Sequence, residues 1–158
     1  MTATKLTAGL AARFGSSIGR AEMPSARRIY IPVRAEALRD IAGWLYREMG
    51  CRFATASAVD APEGIEILYH FVLDPADLIV TLRLLTDRSS PSAPSLTPIL
   101  AAAGFIEREI HELFGVDFPG HPDLRRLLLS DEWPAGVHPL RRDYVEWDPN
   151  AIREGGDK

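Results

Sequence analysis

The chain has a single cysteine, Cys51. One thiol excludes an intrachain disulfide and points to a reducing compartment. It also excludes an iron–sulfur cluster held by this chain alone, because such a cluster takes about four thiolates. Long apolar runs are missing as well. A spanning helix needs roughly 20 consecutive apolar residues, and the longest stretches here are broken by Glu66 and His70 or by Arg83. No glycine-rich phosphate loop is present: Gly115 and Gly120 flank an acidic residue and a proline, and no lysine accompanies them. Positive charge is scarce where it would be needed to hold nucleic acid. Residues 1–50 carry eight basic and four acidic side chains, residues 51–158 ten basic and eighteen acidic, for a net charge of −4. An acidic surface of this kind makes no phosphate groove, so nucleic acid is not an expected partner.

What is present fits one soluble globular domain: 158 residues, 46% hydrophobic and 25% charged, with a mean hydropathy of −0.06. The basic, Ser/Ala-rich start, Met1 to Arg28, suits either an organellar transit peptide or an amphipathic helix. Leu6, Leu10, Phe14 and Ile18 recur every four residues and favour a helix over 5–19. A polar joint over Met23–Ala26 precedes a short strand, Arg28–Val33. A helix over Ala35–Met49 follows, stopped by Gly50. Phe53–Val59, Ile65–Leu73 and Leu78–Leu85 read as strands separated by the turn signals Asp60–Gly64 and Asp74-Pro75. The expected fold class is therefore α+β, a small antiparallel sheet with helices packed on one face. A Ser/Pro-rich loop, Asp87–Pro98, leads into a helix over Ile99–Phe114. On it Ile99, Ala103, Ile106, Ile110 and Leu113 form a stripe, and Arg108 and Glu112 are spaced to pair on the wet side. Domain boundaries are expected at 1–115 for the domain, 116–149 for an extended arm and 150–158 for a disordered tail.

From Val116 onward the pattern turns irregular and proline-rich. It still holds Phe118, Leu124, Leu127, Leu128, Leu129, Trp133 and Leu140, too many large apolar groups for a disordered stretch. An arm that packs against another surface fits better. Candidate chemistry is thin. Glu107 and His111 fall one turn apart, but a zinc-protease pattern would need a second His where Gly115 stands, so these acids read as a solvated face. His121 and His138 precede prolines in loops and match no ligand spacing, His70 reads as a hydrogen-bonded sheet residue, and Cys51 has no base beside it. The pairs Arg125/Arg126 and Arg141/Arg142 stand out, since arginine's planar fork suits carboxylates and carbonyls at interfaces.

The run Glu107 to Leu129 (ERE-IHELFGVDFPGHPDLRRLLL) resembles the signature of the C-subunit family of the NADH–quinone oxidoreductases, respiratory complex I. Its continuation, Asp131-Glu-Trp-Pro through His138-Pro-Leu-Arg-Arg-Asp-Tyr144, resembles the family's closing motif. Leu10–Gly15, Ala58–Asp60 and Tyr69-His70 extend the likeness upstream. The resemblance implies a non-catalytic scaffold subunit of the peripheral arm of a redox complex, docked on the large quinone-site subunit beside other peripheral-arm subunits. It implies no cofactor in this chain; iron–sulfur clusters, flavin or nickel–iron belong to partners. It also implies a position on the cytoplasmic side of the membrane, reached only through the complex. The partner-binding residues it implies are His121, Pro122, Asp123, Leu124, Arg125, Arg126, Trp133, Arg141, Arg142 and Asp143. Phe105, where the family usually has Trp, departs from the complex I pattern, and the segment Asp131–Val137 resembles the equivalent subunit of membrane-bound energy-converting nickel–iron hydrogenases. Two rival readings are a free-standing metal-dependent enzyme using His111, His121 and His138, and a soluble binding module using its arginines.

Overall fold

The computed structural model describes residues 3–146. Three helices and five strands appear in the order α1 (Ala3–Phe14), β1 (Glu22–Ser25), β2 (Arg28–Pro32), α2 (Leu38–Arg47), β3 (Arg52–Ala61), β4 (Gly64–Leu73), β5 (Leu78–Thr86) and α3 (Ala103–Phe114). The α+β class holds. The strands form one sheet in the order β1-β2-β5-β4-β3. Its pairings are antiparallel except that of β2 with β5, which run parallel with Ile29 beside Val80 and Ile31 beside Leu82. That parallel pair follows from the connection: α2 crosses over between β2 and the hairpin strands, and such a crossover returns the chain parallel.

Period-two alternation explains why one face is the core. Ile65, Ile67, Tyr69, Phe71 and Leu73 of β4 are buried alongside Leu78, Val80, Leu82 and Leu84 of β5 and Ile29 and Ile31 of β2. The helices cover this face with Leu6 and Leu10 from α1, Leu38, Ile41 and Leu45 from α2, and Ala103, Ile110 and Phe114 from α3. The other face is only partly covered; His70 sits there between Ser57 and Thr81, 3.1 and 2.9 Å from their hydroxyls.

Several boundaries differ from those the sequence suggests. The first helix stops at Phe14, because Ile18 leaves it to bridge Val33. The polar joint is instead the edge strand β1, short and wholly exposed, so no alternation betrays it. The last helix begins at Ala103. Residues 96–102 are turns in which Leu96 O receives the amides of Ile99 and Leu100, so Ile99 belongs to a turn and not to the helix stripe. The core also continues past residue 115: Val116 and Phe118 are buried, and the loop before α3 is laced to them through Ala93 N–Asp117 O and Ser95 N–Pro119 O. The tail expected at 150–158, and residues 147–149 of the arm, lie outside the described residues.

Candidate functional site

Helix α3 ends where Gly115 takes a left-handed conformation (φ 74°), which glycine adopts without steric cost. Downstream, residues 116–146 contain no helix or strand element, and their backbone groups turn to α3 for partners. The guanidinium of Arg108 donates to the carbonyls of Arg125 and Arg126 at 3.0 and 2.7 Å. One turn on, the buried carboxylate of Glu112 accepts the amides of Leu127 (3.2 Å) and Leu128 (2.7 Å). A charged acceptor on two successive amides makes bonds stronger than neutral ones. His138 donates from Nδ1 to the Glu112 carbonyl at 2.9 Å, and Leu140 N reaches Leu113 O at 3.1 Å. The His138 ring lies so close over Gly115 that a Cβ there would stand 2.5 Å from its Nε2.

The same helix organises the loop before it. Glu107, only 1% exposed, accepts the Ser95 hydroxyl, the Leu96 amide (2.6 Å) and the Thr97 hydroxyl (3.1 Å). Burial pushes its carboxyl above the usual range, while these donors and nearby His121 pull the other way. His121 is fixed as the Nε2–H tautomer: Nε2 lies 3.0 Å from Gly104 O, and Nδ1 accepts the Asp123 amide. His111 turns Nδ1 to Val116 O at 2.8 Å. A solvated face with an Arg108–Glu112 pair, as the helical spacing suggests, is therefore not what forms. Glu107 and Glu112 are buried, and Arg108 and Glu112 each bind the segment beyond the helix.

At its far end the segment meets the β3–β4 turn. The Asp60 side chain, 2% exposed, pairs with Arg88 at 2.6 Å and accepts the Arg142 amide at 2.8 Å, while Arg141 donates to Arg88 O. Between the two ends a cleft of about 260 Å³ runs along α3, bordered by His111, Leu124, Arg126, Trp133, Pro134 and Val137.

The partner-binding residues implied by the sequence thus divide. Arg126 donates to Ser130 O and to Trp133 O (2.9 Å), Trp133 donates Nε1–H to Val137 O (2.8 Å) and stacks on Tyr144, and His121 and Arg141 bind backbone carbonyls. These four hold the segment itself, and Leu124 packs against the core from a half-buried position. Pro122, Asp123, Arg125, Arg142 and Asp143 are exposed; Arg125 pairs with Asp123 at 2.9 Å on the surface. Sequence reasoning missed Arg108, Glu112 and Asp60 as anchors. Nothing in a helical or turn spacing reveals that a side chain will bind a segment 15 to 82 residues away. Burial pushes the Cys51 thiol up to about 11, with the Asp74 charge adding to the effect, which makes it a poor nucleophile. Among the described residues, no group of three or more His, Cys, Asp or Glu is placed to hold a metal ion, and no helix is long and apolar enough to cross a membrane.

Fold and site together define a small α+β domain whose last helix clamps an irregular C-terminal segment. Residues 31–149 match the family described as "Respiratory-chain NADH dehydrogenase, 30 Kd subunit", and the chain belongs to that family. It is 41% identical over 115 residues to the NADH-quinone oxidoreductase C-subunit of Moorella thermoacetica, covering 71% of this chain and 76% of that one. It is also 41% identical over 85 residues to the C/D-subunit of Phocaeicola vulgatus, 53% of this chain but 16% of that longer one. Across several curated C-subunit relatives the match spans between 59% and 76% of their own length. A solved structure titled "membrane-bound sulfane sulfur reductase (MBS), an archaeal respiratory membrane complex" contains a chain with the same fold. Its TM-score is 0.79 at 22% identity, covering 97% of this chain and 90% of that one.

Proposed function

We propose that this chain is a non-catalytic scaffold subunit of the peripheral arm of an NADH–quinone oxidoreductase-type complex, docking through its C-terminal segment beyond Gly120 on the large quinone-site subunit. The observation that carries the reading is the way the C-terminal segment is built. Its backbone is pinned to α3, yet Leu128 (59% exposed), Leu140 (52%) and Val145 (83%) stand out from it, with Phe105 (67%) beside Pro122 and Asp123. Apolar groups held outward by a fixed backbone make a preorganised interface, and they give up little conformational freedom on binding. The C/D-subunit relative supports a neighbouring subunit of the same complex as the partner, since its name joins two subunits in one polypeptide. Redox centres belong to partner chains in this reading, because one buried cysteine cannot supply a cluster's thiolates. Attachment to the membrane, on its cytoplasmic side, is through the complex.

The test is a native pull-down of the tagged chain from its host membranes with mass spectrometry of what is retained. A quinone-site subunit with NADH- and flavin-binding partners is expected. A large subunit with nickel-binding cysteines would instead make the chain a component of an energy-converting hydrogenase. The chain alone with stoichiometric metal would overturn the scaffold reading. Within this reading Arg125 and Arg142 face the partner, so Arg125→Ala with Arg142→Ala is expected to reduce recovery of the large subunit about tenfold. The melting temperature of the free chain should stay unchanged, because neither side chain is buried.

A further inference from the structure

The two edges of the sheet differ in how they are guarded. Strand β1 is four residues long, contains Pro24 and pairs with β2 in an irregular register; short length, proline and irregularity all discourage further pairing. Strand β3 is ten residues long, has no proline, and carries no charged side chain between Arg52 and Asp60. One side of it is laddered to β4. On its other side, no backbone hydrogen bond from another segment reaches residues 52–61 among the described residues. Side chains reach two of its carbonyls, Ala56 O from Thr55 and Ala61 O from Arg88. A bulge between Phe53 and Thr55 bends the start of the strand and leaves Thr55–Asp60 as the regular stretch.

The side chains along this stretch are short. Thr55 and Ser57 point to the partly covered face with exposed Val59, while Ala56 and Ala58 lie half-buried on the face that α3 packs against. A second backbone can therefore come to ladder distance, about 4.8 Å, without meeting a bulky group. On the helix side Ala56 and Ala58 border the core cluster, so an incoming strand meets apolar surface there.

We infer that the β3 edge, Thr55–Asp60, is a strand-addition site for an extended, uncharged segment of a partner subunit, with apolar side chains on the α3 side. The inference rests on the proposed role as a subunit. Free backbone donors and acceptors in a row select another extended backbone, and the absence of charge along the edge selects an uncharged one. A second copy of this chain is the competing occupant. Antiparallel pairing about Ala56 would bring Arg52 opposite Asp60, but Asp60 is already engaged by Arg88 and the Arg142 amide, so the charge pair that would fix that register cannot form.

Hydrogen exchange read by mass spectrometry tests this on the full chain, both free and in the complex purified by its tag. In the complex the peptide over 52–61 is expected to gain protection, with exchange of its outward amides slowed about tenfold or more, and its exchange in the free chain is expected not to depend on concentration. Protection of 116–146 on assembly without change in β3 would overturn strand addition and leave the proposed function standing. Failure of the chain to enter any complex would overturn both. Protection of β3 that grows with concentration in the free chain would make a second copy the occupant. A Ser57→Lys/Val59→Lys variant is expected to lower partner recovery about tenfold. Leu85→Lys, equally exposed but two strands inward, should leave recovery unchanged. Equal loss from both variants would assign the contact to the sheet's face and overturn the edge.

Discussion

Glu112 holds two consecutive amides with one carboxylate, so its removal leaves both donors, on Leu127 and Leu128, without a partner on the domain. Glu112→Ala is expected to cost about 2–3 kcal/mol in urea unfolding and to accelerate exchange at those two amides in particular. Glu112→Gln keeps one good acceptor and should cost less. His70 gives the chain a pH dependence of definite sign. Burial, helped by the charge of Arg28, lowers its pKa in the folded state. In the unfolded state it titrates at the ordinary histidine value, so below that value the unfolded chain holds a proton that the folded chain resists. The stability from neutral His70 is complete above the ordinary value and is lost as pH falls through it toward the folded one. Denaturation midpoints measured from about pH 7.5 down to about pH 5 should fall more steeply for the native chain than for His70→Gln.

At the level of elements, the turn at Gly115 does two things at once. It ends α3 in a left-handed conformation, and it provides the bare surface on which the His138 ring rests. Gly115→Ala therefore combines a conformational penalty of about 1 kcal/mol with a steric clash, and should destabilise by about 2–3 kcal/mol in the same unfolding assay. The glycine was legible as a helix stop, but the histidine 23 positions later was not, since a stop signal says nothing about what passes over it. The same limit applies elsewhere. Alternation in β4 and β5 announced two strands and their buried faces. Strand β2 was read as a strand too, but its parallel place beside β5 was not announced, because periodicity gives the state of a segment and not its place in a sheet. The signature residues from Glu107 to Gly115 could be recognised as a motif. That most of them serve to fasten a loop or the C-terminal segment depends on distances that only the folded chain supplies.

For the whole molecule, the boundary between domain and segment falls later than residue 115. Phe118 is 1% exposed and Val116 fully buried, with backbone bonds tying Asp117 and Pro119 to the loop before α3. A chain ending after Gly115 is expected to be less stable by about 3–5 kcal/mol than one ending after Gly120, the cost of an emptied phenylalanine site. Thermal unfolding of the two truncations is the measurement, and only the longer one should melt with native-like cooperativity. Residues 121–146 would then be a separable layer, fastened by Arg108, Glu112 and Asp60, whose loss affects assembly more than folding.

The parallel pairing of β2 with β5 also sets a schedule for synthesis. Ile29 and Ile31 leave the ribosome with only the short β1 to lie beside, and their second neighbours, Val80 and Leu82, are translated about fifty residues later. At roughly 5–20 residues per second that delay is several seconds, during which an apolar strand waits without its inner partner. The middle of the sheet closes only once β5 has emerged, so the newly made N-terminal half is the stretch a chaperone would be expected to shield.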